Sequence, residues 1–126
     1  MLKKQLEQLL MQAVSCFDTG GELFYHGFML GLCAAMEQYR KSSNRESGYG
    51  RYDIQLTPKL PYLPGIIIEL KAAKDCSEDE LRELSKKALQ QIEEKKYDTE
   101  LREAGVADII KYGVAFCGKK VEIAIE

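Results

Sequence analysis

The sequence predicts an α/β domain in which a central mixed β-sheet is flanked by helices. An unbroken apolar run, Ile66, Ile67 and Ile68, is typical of a strand that is covered on both faces. Apolar residues recur at helical spacing on both sides of that run, and two further apolar segments near the end of the chain are short enough to be strands. The predicted order of elements is α-α-β-β-β-α-α-β-β, which is one mixed sheet with helices packed against it.

Length and composition limit the possible classes of protein. The chain has 126 residues, 45% of them hydrophobic and 30% charged, so we expect one domain over residues 1–126 with its own core. The net charge of -2 gives no overall attraction to nucleic acid, so such binding would depend on a local patch. The longest apolar run, residues 29–36, is far shorter than the roughly 18 residues that cross a membrane. The chain opens with a charged, amphipathic segment and no apolar leader, and we expect a cytoplasmic protein.

Two helices are predicted at the start of the chain. Residues 1–18 form an amphipathic helix, with leucines on one side and lysine, glutamate and glutamine on the other, and Thr19, Gly20 and Gly21 end it. The core of the domain then spans residues 22–126. It begins with a helix over residues 22–40, whose nearly uniform apolar surface predicts burial against the sheet.

Strands are predicted in the middle of the chain. Gly48, Tyr49 and Gly50 suit a hairpin connection between strands at residues 42–47 and 51–57. The segment 65–73 follows a proline-rich turn and, because of its isoleucines, is expected at the centre of the sheet.

The last part of the chain is predicted to contain two helices and two strands. Ser77 and Glu80 have the spacing of a capping box, which predicts a helix over residues 78–97. A short helix at residues 99–104 ends at Gly105. Strands at residues 109–116 and 121–125 close the domain.

Three charged residues in the predicted strands form a candidate metal-binding or catalytic site. Asp53 belongs to one predicted strand and Glu69 and Lys71 to the next, where side chains two residues apart project from the same face. Two carboxylates and an ammonium can therefore converge, an arrangement that a divalent metal ion would neutralise. The alternative is that Glu69 and Lys71 form a solvated ion pair on an edge strand. The adjacent isoleucines favour a central strand and hence the site.

Five sequence runs, in this order, resemble one known family: YHGFMLGL, SNRESGYGRYDI, IIIELK, ALQQIEEKKY and YGVAFCGKKVEI. Together with the D-x(n)-E-x-K pattern, they resemble the PD-(D/E)XK nuclease superfamily. More narrowly, they are similar to the nuclease-like domain that follows an AAA-ATPase-like domain in bacterial and archaeal proteins. The resemblance implies a restriction-endonuclease-like core.

The resemblance also implies roles for individual residues. Asp53 and Glu69 would hold Mg²⁺, for which Mn²⁺ would substitute, and the backbone carbonyl of Leu70 and the carboxylate of Glu22 would complete the protein ligands. Lys71 would orient or deprotonate the attacking water, or stabilise charge on the phosphate.

A glutamine and several nucleic-acid contacts extend the implied site. Gln91 would join the catalytic residues from its helix. In related exonuclease-like proteins a tyrosine follows this glutamine after one helical turn, whereas here that position is Lys95 and the tyrosine is Tyr97. Alternatively, Gln91 is an exposed helix residue, and Gln90 is a competing candidate. The residues expected to bind nucleic acid are Arg45, Tyr49 and Arg51.

Two functions of different classes remain open on the sequence. The first is a metal-dependent nuclease that hydrolyses phosphodiester bonds of DNA, with RNA as the less favoured substrate. The second is a nucleic-acid-binding or regulatory accessory domain of an AAA-ATPase-like protein. A homodimer is a further expectation, with the N-terminal helix either forming the contact or covering the sheet within one subunit.

The cysteines predict no metal centre. Cys16, Cys33, Cys76 and Cys117 are widely spaced, with no close pair and only one histidine in the chain, so a zinc site is not expected. We expect reduced thiols that pack as small apolar side chains.

Overall fold

A computed structural model describes residues 22–43, 46–47, 50–51, 54–94, 97–118 and 120–126. This part of the chain contains three helices and seven strands. The helices are α1 (Glu22–Cys33), α2 (Glu78–Glu94) and α3 (Thr99–Glu103). The strands are β1 (Tyr39–Ser43), β2 (Glu46–Ser47), β3 (Gly50–Arg51), β4 (Ile54–Pro58), β5 (Gly65–Ala73), β6 (Ile109–Cys117) and β7 (Lys120–Ile125). No helix in these ranges is both long and apolar enough to span a membrane.

Five strands form one mixed sheet in the order β1-β4-β5-β6-β7, which confirms the predicted α/β fold with β5 at its centre. The central pair β5 and β6 is parallel, and the other three pairs are antiparallel. Parallel neighbours cannot be joined by a tight turn. Helices α2 and α3 provide the longer connection between them.

Helices cover both faces of the sheet. On one face, here called the α1 face, Met29 and Cys33 of α1 pack in a core with side chains from the strands. The strand residues in that core are Tyr39, Ile54, Leu56, Ile68, Leu70, Val114, Phe116 and Val121. The opposite face, the α2 face, includes Ile67, which packs with Ile92 of α2 and Leu101 of α3. The isoleucine run therefore divides between two cores, as expected for a strand covered on both sides.

The helix predicted over residues 22–40 is too long. Helix α1 ends at Cys33, and tight turns follow in which Ala35 and Met36 donate backbone hydrogen bonds to Leu32 and Cys33. The next residues belong to β1, where Tyr39 is buried and its hydroxyl donates to the Pro64 carbonyl at 2.8 Å. The apolar pattern continued past the helix end, but pairing of β1 with β4 gives the segment from Tyr39 onward an extended backbone.

The predicted hairpin is present, but its first arm starts earlier than expected. Strands β1 and β4 pair antiparallel from Tyr39–Pro58 to Ser43–Ile54, and β2 and β3 pair in the same register. Within the described residues, the two pairs of strands thus share the register of a single hairpin. The first arm was predicted at residues 42–47 and begins instead at Tyr39.

The predicted capping box at the start of α2 is confirmed. The Ser77 amide donates to Glu80 Oε1 at 3.0 Å, and the Glu80 amide donates to Ser77 Oγ at 3.1 Å. Both hydrogen bonds with Ser77 lower the pKa of the Glu80 carboxyl. The larger effect comes from the Ser77 backbone and the smaller from its side chain. The cap starts α2 five residues after β5 ends, which directs the helix back across the sheet.

Gly113 allows α2 to lie directly on the sheet. It is the parallel partner of Glu69, and a Cβ atom there would be 2.2 Å from the Ser85 carbonyl oxygen and 2.5 Å from the Leu89 nitrogen. Both of those atoms belong to the α2 backbone and cannot move independently of the helix. The absence of a side chain at Gly113 therefore sets the separation of α2 from the strand beside Glu69.

We expect Gly113→Ala to destabilise the domain by about 1–3 kcal/mol, because the added methyl group must displace the α2 backbone. Urea denaturation measures the change in the free energy of unfolding. Gly31→Ala is the matched control, since Gly31 lies in α1 with open space around its Cβ position. The control should be neutral or stabilising, since alanine favours helix by about 1 kcal/mol over glycine. Equal stability of Gly113→Ala and the wild type would contradict the close packing.

Candidate active site

Glu69 and Lys71 of β5 come together as the sequence predicts. Alternation along the strand gives them the same face as Ile67, which is the α2 face. Glu69 is only 4% exposed, and its Oε2 lies 4.0 Å from Lys71 Nζ. The Lys71 side chain keeps 30% of its surface exposed. The carboxylate is thus inside the domain, and the lysine side chain beside it is partly exposed.

The Glu69–Lys71 pair is loose. A separation of 4.0 Å is an ion-pair distance and is too long for a hydrogen bond between these atoms. Burying a carboxylate is costly unless it is compensated, which makes such a pair on the central strand unusual as a purely structural feature.

Leu70 can contribute only through its backbone. Its side chain is buried in the core of the α1 face, on the opposite side of the strand from Glu69. The donor set of Glu69 and the Leu70 carbonyl consists of oxygen atoms, the ligands that Mg²⁺, Mn²⁺ and Ca²⁺ prefer. The described part of the site therefore fits a hard divalent cation.

The structure describes only some of the residues predicted to form the site. Asp53, Arg45 and Tyr49 lie outside them. Glu22 is the first residue of α1 and Arg51 the last of β3, but their side chains are not described. Among the side chains that are described, no group of three or more His, Cys, Asp and Glu residues could hold a metal ion. The roles of these five residues stay predictions.

Gln91 makes a hydrogen bond to Tyr97. Gln91 Nε2 donates to the Tyr97 hydroxyl at 3.0 Å, and the buried Tyr97 ring packs with Ile67 and Ile92. The tyrosine is six residues after Gln91, and it reaches the glutamine because α2 has ended: the Tyr97 amide donates to the Ile92 carbonyl, so the chain folds back on the last turn. Helical spacing alone predicts Lys95 at this place.

Gln55 is a buried polar residue that the sequence analysis missed. It lies on β4 directly opposite Ile67, so its side chain shares the α2 face and is a diagonal neighbour of Glu69. It is 3% exposed, and its Oε1 has no hydrogen-bond partner among the described residues. A polar residue between Ile54 and Leu56 on a strand was the available sequence signal.

A second charged cluster on the α2 face is structural. Lys111 of β6 is the ladder partner of Ile67, and its Nζ lies 2.6 Å from Glu93 Oε1 and 3.9 Å from Asp98 Oδ2. Arg102 of α3 also pairs with Asp98, at 2.6 Å. These contacts attach the end of α2 and the start of α3 to β6, close to the Gln91–Tyr97 pair.

We expect Gln55→Met to raise the free energy of unfolding by on the order of 1 kcal/mol, because methionine has a similar volume and leaves no buried polar atom. Thermal and urea unfolding without added metal measure the change. Gln90→Met is the matched control, since Gln90 is exposed on α2 and bonds only to the exposed Glu94. If Gln55→Met is less stable than the wild type while Gln90→Met is not, the Gln55 amide oxygen accepts a hydrogen bond in the folded protein and the expectation is wrong.

Comparisons with known proteins agree with this architecture. A family model described as the PD-(D/E)XK nuclease superfamily matches residues 20–126, which includes all the described elements. Searches of curated proteins and of solved structures give no significant match. Nucleases of this superfamily typically use divalent metals. The mixed sheet, the Glu69–Lys71 pair on its central strand and the match over most of the chain agree, and the chain belongs to the PD-(D/E)XK nuclease superfamily.

Proposed function

We propose that this protein is a divalent-metal-dependent nuclease that hydrolyses phosphodiester bonds of DNA, with RNA as the less favoured substrate. The observation that carries the proposal is the buried carboxylate of Glu69 with the Lys71 ammonium 4.0 Å away on the central strand. Membership of a nuclease superfamily implies a nucleic acid as substrate. A cation bound at this carboxylate would lower the pKa of the attacking water toward neutral pH and offset charge on the phosphate.

Glu69 and Asp53 are the proposed carboxylate ligands, and the Leu70 carbonyl and Glu22 complete the set. Asp53 is joined by a peptide bond to Ile54, the first residue of β4, and Ile54 is the ladder partner of Ile68. Consecutive Cα atoms are about 3.8 Å apart, so the Cα of Asp53 is one such step from a residue that pairs with β5, the strand that carries Glu69. This connectivity supports the pairing of the two carboxylates.

Lys71 is the proposed catalytic base or electrostatic stabiliser. Its side chain is partly exposed and its ammonium is 4.0 Å from the buried Glu69 carboxylate, which supports a role in contact with the substrate. From there it can hold the attacking water by a hydrogen bond, accept its proton when neutral, or stabilise negative charge on the phosphate oxygens when charged.

Gln91 and three residues of the hairpin are proposed to hold the substrate. The Tyr97 hydroxyl accepts a hydrogen bond from Gln91 Nε2, which fixes the orientation of the Gln91 amide. Arg45 and Arg51 would bind backbone phosphates, and Tyr49 would stack on a base.

The proposal also covers the setting of the domain. We propose that it works beside an AAA-ATPase-like domain or subunit and that two copies can associate, so that two sites address two strands. Size-exclusion chromatography with light scattering, with and without duplex DNA, tests the association.

We expect the purified protein to cut plasmid and single-stranded DNA with Mg²⁺ or Mn²⁺, and a chelator to abolish cutting. Asp53→Asn, Glu69→Gln and Lys71→Met should each lower the rate at least 100-fold, because each removes a charge that the reaction needs. A gel assay with labelled DNA measures the rates. Glu83→Gln and Lys87→Met make the same changes on the exposed side of α2 and should keep full activity.

The assignment fails if the wild type and the three site variants cut at the same rate, since the activity would then come from a contaminant. It also fails if no nucleic acid is cut under any metal condition. DNA binding that weakens with salt, without cutting, would then support the accessory binding domain.

A further inference from the structure

The fold brings together two cysteines that are far apart in the sequence. Cys117 ends β6 and is the ladder partner of Ala73, the last residue of β5. Two residues later Asp75 adopts a positive φ of 54°, which turns the chain back toward β6. The Cys76 amide then donates to Cys117 Sγ at 3.3 Å. Spacing along the sequence does not indicate this contact, which joins residues 41 positions apart.

The contact makes Cys76 and Cys117 close neighbours, which is the first requirement for a bond between their sulfur atoms. Because the backbone nitrogen of Cys76 is 3.3 Å from Cys117 Sγ, the Cys76 Cβ is within one side chain's reach of that sulfur. Both residues are partly exposed, which gives a small oxidant access, whereas Cys33 is buried in the α1-face core.

The surroundings keep the pair reduced until an oxidant arrives. Desolvation, then the neighbouring Cys117 and Glu80, raise the pKa of the Cys76 thiol. A protonated thiol reacts slowly, because the thiolate is the nucleophile. Oxidation should therefore be faster at pH 8.5 than at pH 7.

We propose that Cys76 and Cys117 are a modification site that forms a reversible intramolecular disulfide with hydrogen peroxide. One thiolate attacks the peroxide, which breaks the O–O bond and gives a sulfenic acid and, after protonation, water. The second thiolate attacks the sulfenic sulfur, the S–S bond forms, and the hydroxyl group leaves as a second water. In sum two thiols lose two electrons and two protons, and peroxide is reduced to two water molecules.

The disulfide would tie the link between β5 and α2 to the end of β6. That link holds Cys76 and the cap residue Ser77, and it connects the strand bearing Glu69 and Lys71 to the helix bearing Gln91. Joining residues 41 positions apart restricts the unfolded chain. Formation of the bond should raise the melting temperature by roughly 5–15 °C.

The experiment treats the full chain with hydrogen peroxide, denatures it and counts thiols. We expect the count to fall from four to two, and to return to four with dithiothreitol. Mass spectrometry of a non-reduced digest should find one peptide pair joined through Cys76 and Cys117, with a loss of 2 Da for the intact protein. The melting temperature is measured before and after oxidation.

Variants identify the residues involved. Cys76→Ser and Cys117→Ser should each abolish the linked peptide and the rise in melting temperature, whereas Cys33→Ala should retain both. The proposal is overturned if the wild type keeps four thiols, or if oxidation gives only intermolecular disulfides or sulfinic acids. The mass measurement on the wild type decides this even if a serine variant fails to fold.

Discussion

The close packing of α2 on the parallel pair β5 and β6 sets the surroundings of Glu69, the buried carboxylate among the described residues of the site. Gly113 has no side chain, and the α2 backbone at Ser85 and Leu89 occupies the space that a Cβ atom would need. Since Gly113 is the ladder partner of Glu69, the helix crosses the sheet next to this carboxylate. The burial of Glu69 is therefore a direct consequence of a backbone-to-backbone contact, which side-chain rearrangement cannot relax.

The two faces of the sheet have different physical roles. The α1 face is a continuous apolar core from β4 to β7, and its contribution is the burial of large side chains such as Phe116 and Leu70. The α2 face has a smaller apolar cluster around Ile67, and polar groups surround it. Glu69, Gln55 and Lys111 all lie on or beside that face in strands next to one another. The α1 face thus holds the larger apolar core, and the α2 face combines a smaller apolar core with charged and polar groups.

The end of α2 shows how a short chain holds several polar groups in fixed positions. The helix stops at Glu94, Tyr97 folds back to accept a hydrogen bond from Gln91, and Lys111 binds Glu93 and Asp98. The Gln91–Tyr97 bond joins α2 to the segment just before α3. Lys111 joins β6 to α2 through Glu93 and to the start of α3 through Asp98. At the other end of the same helix, the capping box and the contact between Cys76 and Cys117 attach its start to the ends of β5 and β6.

The sequence by itself determined the fold class, the central position of β5, the capping box at Ser77 and Glu80, and the common face of Glu69 and Lys71. All of these follow from periodicity or spacing within a short stretch of sequence, so they can be inferred without knowing which distant residues come into contact. Only the tertiary structure decided the end of α1 at Cys33, the contact of Gln91 with Tyr97, the burial of Gln55 and the meeting of Cys76 with Cys117. Each of these depends on a partner that is distant in the chain or beyond the end of a helix, and such partners leave no periodic pattern in the sequence.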